Sequence, residues 1–526
     1  MTAPAHLFDP EALRFSSSRN QKRIEDDRLL RGAGLFSDDR FMPGECWVVF
    51  LRSPHAHARI AAIDTAAALA IPGVIAVYRC DQLKVAGVQP AGQMAVFKRA
   101  DGSPSAYPPR LPLADGVARW VGDAVAAVVA ESRVAAQDAA EAVVVDYEVL
   151  PSVVDPLRAV EPGAPLVWPE ASNNVSAEIR YGDAKAADAA FAKAAKVVSI
   201  ALVNSRVVVN PIEPRACIAN VESGRVVLYG QSQMHTATRD TLAAALKEDK
   251  ANTRVVVGEI GGGFGLKTGL QQEEALCAWA AKQLGRPVRW RADRAEDFLA
   301  SHHGRDQRHT ADLALDKDGK FLALRVRSIG NAGAVPNFAA QMIPMLMTPK
   351  VTTSVYHVPV VDYHVRSVLT NTMSLGAYRG AGRPEGNYLM ERIIEKAARE
   401  LGIDSLELRR RNFITPAQLP YKTHLDEWYD SGDFAKMLAG AVKASDWDGF
   451  AARKAESAQR GKLRGRGLAC YLEWTGGTLQ ETVDIRVGGD GGVTVFSGTM
   501  GIGQGMETSI TQLVCAQLEI DPARVK

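Results

Sequence analysis

An α+β fold in several domains is predicted for this sequence by three observations. The chain has 526 residues, 47% of them hydrophobic, enough to bury the cores of two to four domains. Short β-branched runs alternate with Ala-rich helical patterns through the first 156 residues. Beyond them, a glycine-dense turn stands three times between an extended run and a helical pattern, around 258–269, 376–385 and 498–509.

Taken in order, residues 1–20 are polar and patternless, a loose tail, and order begins near Arg23. Residues 21–156 form the first α+β block, with helical patterns around 64–69 and 132–142. His55 and His57 are expected on one face of a strand, in a structural role. The block closes at Pro151 and Pro156, and 157–174, containing EPGAPLVWPEASNN, reads as a surface linker. The second block, 175–415, holds strands such as ACIANV and RVVLYG and ends in long helices. Val255, Val256 and Val257 fit a buried strand, and Ala275, Leu276, Trp279, Ala280 and Leu284 recur at helical spacing. The third block, 431–526, carries a hairpin turning at GGDGG and a helix over METSITQLVCAQLEI. Asp-Pro after that helix predicts another strand, so this last block is expected to be incomplete.

Composition excludes several function classes. Lys and Arg total 62 against 60 Asp and Glu, which gives no bulk charge for nucleic acid or a membrane surface. The six cysteines are scattered without a CxxC, so neither a local iron–sulfur cluster nor a secreted disulfide framework is expected. No apolar segment of signal-peptide or membrane-spanning length occurs, and a cytoplasmic protein is expected. His302, His303 and His309 in SHHGRDQRH match no metal-ligand spacing. LALDKDGKFLAL reads as a hairpin rather than a calcium loop, because no glutamate stands at the twelfth position. Arg409, Arg410 and Arg411 read as cations offsetting a helix C-terminal dipole.

The stretch GEIGGGFGLKTG is neither standard phosphate loop. Leu266 separates Gly265 from Lys267 and Thr268, which breaks the Walker pattern, and Leu266 also occupies the last glycine position of the Rossmann fingerprint. A plain βα turn and an anion site both stay open on this stretch alone. The second turn, SLGAYRGAGRPEGN, places Arg379 and Arg383 before Pro384 and Glu385 at a helix start. The third, GTMGIGQGMETSITQ, sets Gln504 among glycines with Thr508 and Ser509 in the first helical turn. YGQSQMHTATRD adds two amide side chains after a strand. Together these suit an extended anionic cofactor held mainly by backbone N–H groups.

At RIEDDRLLRGAGLFSDD, RSPHAHARI, VGDAVAAVVAE, DYEVLP, EPRA, GGGFGLK, AYRGAGRPE and GIGQGMETSITQ, in that order, the sequence resembles the molybdenum-binding large subunits of the xanthine dehydrogenase and aldehyde oxidase family, especially the aerobic carbon monoxide dehydrogenase-like branch. The resemblance covers about 21–526. It implies an N-terminal α/β-hammerhead domain over 21–156, then molybdenum cofactor-binding domains over 175–415 and 431–526, the last incomplete. It also implies a molybdenum–molybdopterin cofactor, usually the cytosine dinucleotide, in which the pterin dithiolene and no side chain ligates the metal. Gly262, Gly263, Phe264 and Gly265 would approach it. Gln233 would bond an apical ligand of the metal, Arg379 and Gly380 would stand beside it, and Gly501, Gly503, Gln504 and Gly505 would contact the pterin.

The implied reaction is hydroxylation by water, with electrons passing to a small [2Fe-2S] subunit and an FAD subunit. A carbon monoxide substrate is disfavoured, because such enzymes place a copper-binding cysteine where Gly380 stands. Purines are disfavoured too, by Thr268 in place of a glutamate and by Asp362 near the position of an arginine. An aldehyde or N-heteroaromatic substrate is left. The family's base, a glutamate in a G-x-G-E turn near the C-terminus of a longer subunit, does not occur in this sequence. Such a base contributes a factor of about 10² to 10⁴, so the chain is expected to be the N-terminal portion of an active large subunit, either truncated or the first half of a split subunit completed by another polypeptide, or else a non-catalytic remnant or binding module.

Overall fold

In the computed structural model, residues 22–91, 96–473 and 481–526 are described, so the expected 1–20 tail lies outside them. Every second residue of Cys46–Arg52 is apolar and inward, Cys46, Val48 and Phe50, and this strand is the hinge of the architecture. It runs antiparallel to Ala124–Ala130, which is buried along its whole length, and parallel to Val288–Arg291 from the second sequence block. The resulting seven-stranded sheet runs in the order Thr253–Val257, Arg225–Gly230, Ala216–Glu222, Val288–Arg291, Cys46–Arg52, Ala124–Ala130, Val74–Arg79. The first two blocks therefore share one sheet and one core. Helix Gln272–Leu284 lies across it, with the Trp279 ring edge-on to Tyr78 at 4.7 Å.

Val255, Val256 and Val257 are half-buried rather than buried, because their strand is the sheet's edge. His55 and His57 lie in the bend after Cys46–Arg52, not on a strand; His57 Nδ1 donates to the carbonyl of Pro151 at 2.7 Å.

A second sheet of five strands has the order Val175–Gly182, Val361–Leu369, Phe321–Gly333, Gln307–Leu315, Lys196–Asn204. Its Gln307–Leu315/Phe321–Gly333 hairpin turns at the DKDG stretch, where Asp316 Oδ1 accepts the N–H groups of Asp318 and Lys320 at 2.9 and 2.8 Å. Helix Arg383–Leu401 packs Leu389, Met390, Ile393, Ile394 and Ala397 onto this sheet. Arg409 falls with Arg410 and Arg411 in the last turn of its helix, as expected. It is fully buried in Ser405–Asn412 and pairs with Glu391 at 2.9 Å and Glu395 at 3.3 Å. A buried cation requires such partners more than a helix end requires a cation. The GGDGG hairpin forms as expected, Val483–Val487 against Val493–Ser497, followed by helix Met506–Leu518.

Asp123 gives this fold a pH dependence. Burial pushes its carboxyl up to about 7, although its side chain accepts the Arg119 N–H at 3.0 Å. The folded state thus keeps a proton that the unfolded chain loses near pH 4. Between those values Asp123 subtracts about 1.4 kcal/mol of stability for each pH unit of rise. Asp123→Asn cannot ionise, so its thermal midpoint relative to wild type is expected to climb from pH 5 to pH 8; a constant difference would contradict the assignment.

Candidate functional site

The glycine loop is fastened from behind by groups that leave its front free. Glu213, of EPRA, accepts the Gly261 N–H at 2.8 Å. The same carboxylate receives Lys267 Nζ at 2.9 Å, and the Glu213 carbonyl receives it at 3.0 Å. Lys267 is 1% exposed, and burial outweighs Glu213 in pulling its pKa below the usual range. This lysine points into the protein, which is the physical reason the Walker reading fails. Gln233 Oε1 accepts the Gly265 N–H at 2.9 Å, and the Gln233 N–H donates to the carbonyl of Lys267 at 2.7 Å. A Cβ on Gly263 would fall 2.4 Å from Gln233 Oε1, so only glycine allows this approach.

The AYR turn locks onto the same loop. The Arg379 N–H donates to the carbonyl of Phe264 at 3.0 Å, and the Arg379 guanidinium lies 5.8 Å from the Phe264 ring centroid. Phe264 takes φ +51, a left-handed conformation that a bulky residue adopts only when its surroundings enforce it. Behind the turn, the SHHGR segment supplies the scaffold. His302 Nε2 donates to the carbonyl of Ala377 at 3.1 Å, and Arg305 donates to the carbonyls of Arg379 at 2.7 Å and Tyr378 at 3.3 Å. Burial lowers the His302 pKa to about 4, so its ring is neutral at pH 7. Among the described residues no three His, Cys, Asp or Glu side chains group as metal ligands.

In front of the loop opens a cavity of about 1130 Å³. Gly262, Gly263, Phe264 and Arg379 line one side, and Gly501, Gly503, Gln504 and Gly505 line the other. Of the residues expected at the site, Gln233, Gly265 and Gly380 stand behind this surface instead of lining it. Gly380 turns the chain at φ +94 against Pro384. Gln504 spends both amide atoms within its own turn, accepting the Ile502 N–H at 2.6 Å and donating to the carbonyl of Met500 at 2.9 Å. Asp362 is remote from the cavity lining and pairs with Arg325 and Arg327 at 2.9 and 2.6 Å. The hydroxyl of Thr268 donates to the carbonyl of Gly265.

Not all three helix starts serve this cavity. Glu274 caps Gln272–Leu284 by accepting the Gln271 N–H at 2.9 Å, and Glu385 caps Arg383–Leu401 by accepting the Gly382 N–H at 3.0 Å. Each carboxylate takes up one of the unpaired N–H groups at its helix end, and of the three helix starts only that of Met506–Leu518 lines the cavity. Sequence reasoning missed the wall formed by helix Ile24–Leu30 and by Leu35 and Phe36. It also missed the anchoring role of Glu213, whose partners Gly261 and Lys267 lie 48 and 54 residues further along the chain, so no local pattern marked it.

The cavity wall carries both free donors and three carboxylates, Glu25, Glu259 and Glu507, that are bonded within the protein. The amides of Gly262, Gly263 and Phe264 make no hydrogen bond among the described residues, and neither does the Arg379 guanidinium. A Cβ on Gly501 would meet nothing within 4 Å, so the protein's own packing does not require that glycine. Free backbone amides, an unpaired guanidinium and open glycines fit a phosphate-bearing, non-covalently cradled group. Fold and site together define a molybdopterin cofactor-binding protein: residues 31–151 match the a/b hammerhead domain of aldehyde oxidase and xanthine dehydrogenase, and 167–413 and 440–526 match molybdopterin cofactor-binding domains. The nicotine 6-hydroxylase large subunit of Paenarthrobacter nicotinovorans is 32% identical over 98% of this chain and 64% of its own length. The carbon monoxide dehydrogenase large chain of Afipia carboxidovorans is 34% identical over 95% of this chain and 64% of its own. Quinoline 2-oxidoreductase from Pseudomonas putida 86 superposes with a TM-score of 0.90 at 34% identity, over 98% of this chain and 66% of that one. The chain belongs to the molybdopterin-binding large-subunit family of xanthine dehydrogenase and aldehyde oxidase. It spans less than two thirds of the length of these curated relatives.

Proposed function

We propose that this chain holds the cofactor in a molybdenum hydroxylase large subunit that oxidises an N-heteroaromatic compound or an aldehyde, with water as the oxygen source. The observation carrying this reading is the set of free amides at Gly262, Gly263 and Phe264 facing the glycines of 501–505 across the cavity. When bound, the group supplies a Lewis acid and an activated, water-derived nucleophile. The chain's residues bind and orient. Gly262, Gly263 and Phe264 donate N–H bonds, Arg379 supplies a positive charge, and Gln233 has an amide nitrogen without a partner among the described residues. The half-exposed Phe264 ring offers an apolar face for a flat substrate. The N-heteroaromatic class is preferred because two relatives carry quinoline and nicotine in their names. Gly380 leaves no thiol at the turn, which counts against carbon monoxide.

The reading extends to a cytosine dinucleotide form of the cofactor, a small [2Fe-2S] subunit, an FAD subunit and a cytoplasmic location. No helix among the described residues is long and apolar enough to cross a membrane. A purely scaffolding protein would have no reason to keep a row of unbonded amides.

The test is purification of the complex from its native host, with molybdenum and acid-released cytidine nucleotide measured per chain. Near-stoichiometric amounts of both are expected. Gly501→Ala should retain the wild-type melting midpoint yet hold less than about a tenth of the metal, since a methyl there intrudes only on the ligand. A wild-type complex without molybdenum would sink the reading.

A further inference from the structure

Helix Ile24–Leu30 lies far in sequence from both glycine turns, yet it bonds to each. Arg28 Nε donates to Glu259 at 2.6 Å, at the head of the glycine loop. Its Nη1 and Nη2 donate to the two oxygens of Glu507 at 2.8 and 2.6 Å, in the first turn of the helix after GQG. Glu25, 5% exposed, accepts the Thr508 hydroxyl at 2.5 Å and the Thr508 N–H at 3.3 Å. The Ile24 N–H in turn donates to Thr508 Oγ1 at 2.8 Å. Among the described residues, no hydrogen bond or ion pair joins 258–265 directly to 500–509. Arg28 hydrogen-bonds to both.

The geometry points to Arg28 as a positioning residue for the cavity: its guanidinium sets the spacing of the two glycine turns and cancels two carboxylates that would repel an anionic ligand. The planar five-donor fork suits this task, since one edge serves Glu507 in two-point fashion while Nε reaches Glu259. Lysine, a point donor on a flexible stem, can neutralise one carboxylate but cannot hold both distances. With glutamine at 28, Glu259 and Glu507 would face the same cavity unpaired, and like charges would push the turns apart. The part that concerns cofactor retention rests on the reading under Proposed function; the spacing of the turns does not.

Two measurements on the full chain separate these parts. The first is amide hydrogen exchange of peptides covering 258–265 and 500–509 in the cofactor-free protein, for wild type, Arg28→Gln, Arg28→Lys and the control Arg31→Gln. Among the described residues Arg31, which follows the helix, pairs only with the exposed Asp27. Exchange in 500–509 is expected to be about tenfold faster in Arg28→Gln, intermediate in Arg28→Lys and unchanged in Arg31→Gln. Equal exchange in wild type and Arg28→Gln overturns the proposal, whether or not any cofactor binds. The second is molybdenum retained per chain in the complex from the native host, expected to fall about tenfold in Arg28→Gln. Faster exchange with full retention also overturns it. A wild-type complex lacking molybdenum would overturn the functional reading, while the exchange data would still decide whether Arg28 holds the turns together.

Discussion

Arg215→Met is expected to destabilise the folded chain by about 3–5 kcal/mol, the range for removing one partner of a buried ion pair. Arg215 is 3% exposed and donates to Glu273 at 3.0 Å and to Asp297 at 2.7 Å. Arg52, from the first sequence block, reaches the same Glu273 at 2.9 Å and Glu296 at 2.7 Å. The cluster therefore ties the two blocks together beneath their shared sheet. Burial alone would push Glu273 up, but the guanidinium groups of Arg215 and Arg52 outweigh it and hold the carboxyl at about 2. Its stabilisation is fully present above the ordinary glutamate value near 4.5 and is lost as pH falls toward 2. The gap in denaturation midpoint between wild type and Arg215→Met should therefore narrow between pH 5 and pH 2.5. Adding Asp297→Asn to Arg215→Met should recover part of the loss, because among the described residues Asp297 then stays buried with only Arg294 at 3.9 Å, whereas Glu273 keeps Arg52. A single variant with wild-type stability at pH 7 would show that the cluster is not buried as described.

Gly265→Ala is expected to remove cofactor binding and to destabilise the chain by about 2–5 kcal/mol, combining backbone strain with overpacking. Gly265 has φ +102, and a Cβ there would lie 2.4 Å from the carbonyl oxygen of Ala377. That oxygen cannot retreat easily, since His302 Nε2 holds it at 3.1 Å and His302 itself packs against Gly376. The strain must be relieved by parting the glycine loop from the AYR turn, which breaks the Arg379–Phe264 hydrogen bond and turns the guanidinium away. Metal content of the native-host complex below about a tenth of wild type, with a lowered melting midpoint, is the expected pair of results. Gly265→Ala with full metal content would mean that the contact between loop and turn does not shape the cavity. The contrast with Gly501→Ala is diagnostic: one glycine is required by the protein's own atoms, the other only by what the cavity holds.

Much of this could be read from residue order, because the relevant physics is local. Period-2 and period-3.6 patterns placed several elements, among them helix Gln272–Leu284, the DKDG and GGDGG turns formed where their residues allow reversal, and the glycine loops stood out by composition. The motif series from RIEDD to GIGQG pointed to the family that the comparisons show. Local pattern also carried an error: a glycine turn before a helix need not face a ligand, and of the three helix starts only that of Met506–Leu518 lines the cavity.

What the sequence determined by itself was the menu of elements, the family, and the residue types offered to an anion. Only the tertiary structure decided which of them face the cavity. Lys267 turns inward to Glu213, Gln233 braces the loop from behind, and Arg28 arrives from the N-terminal helix to bridge Glu259 and Glu507. The reason is that each of these choices balances burial of a charged or polar group against partners far away in the chain. Such partners are set by how the sheets and helices pack, and spacing along the sequence does not encode them.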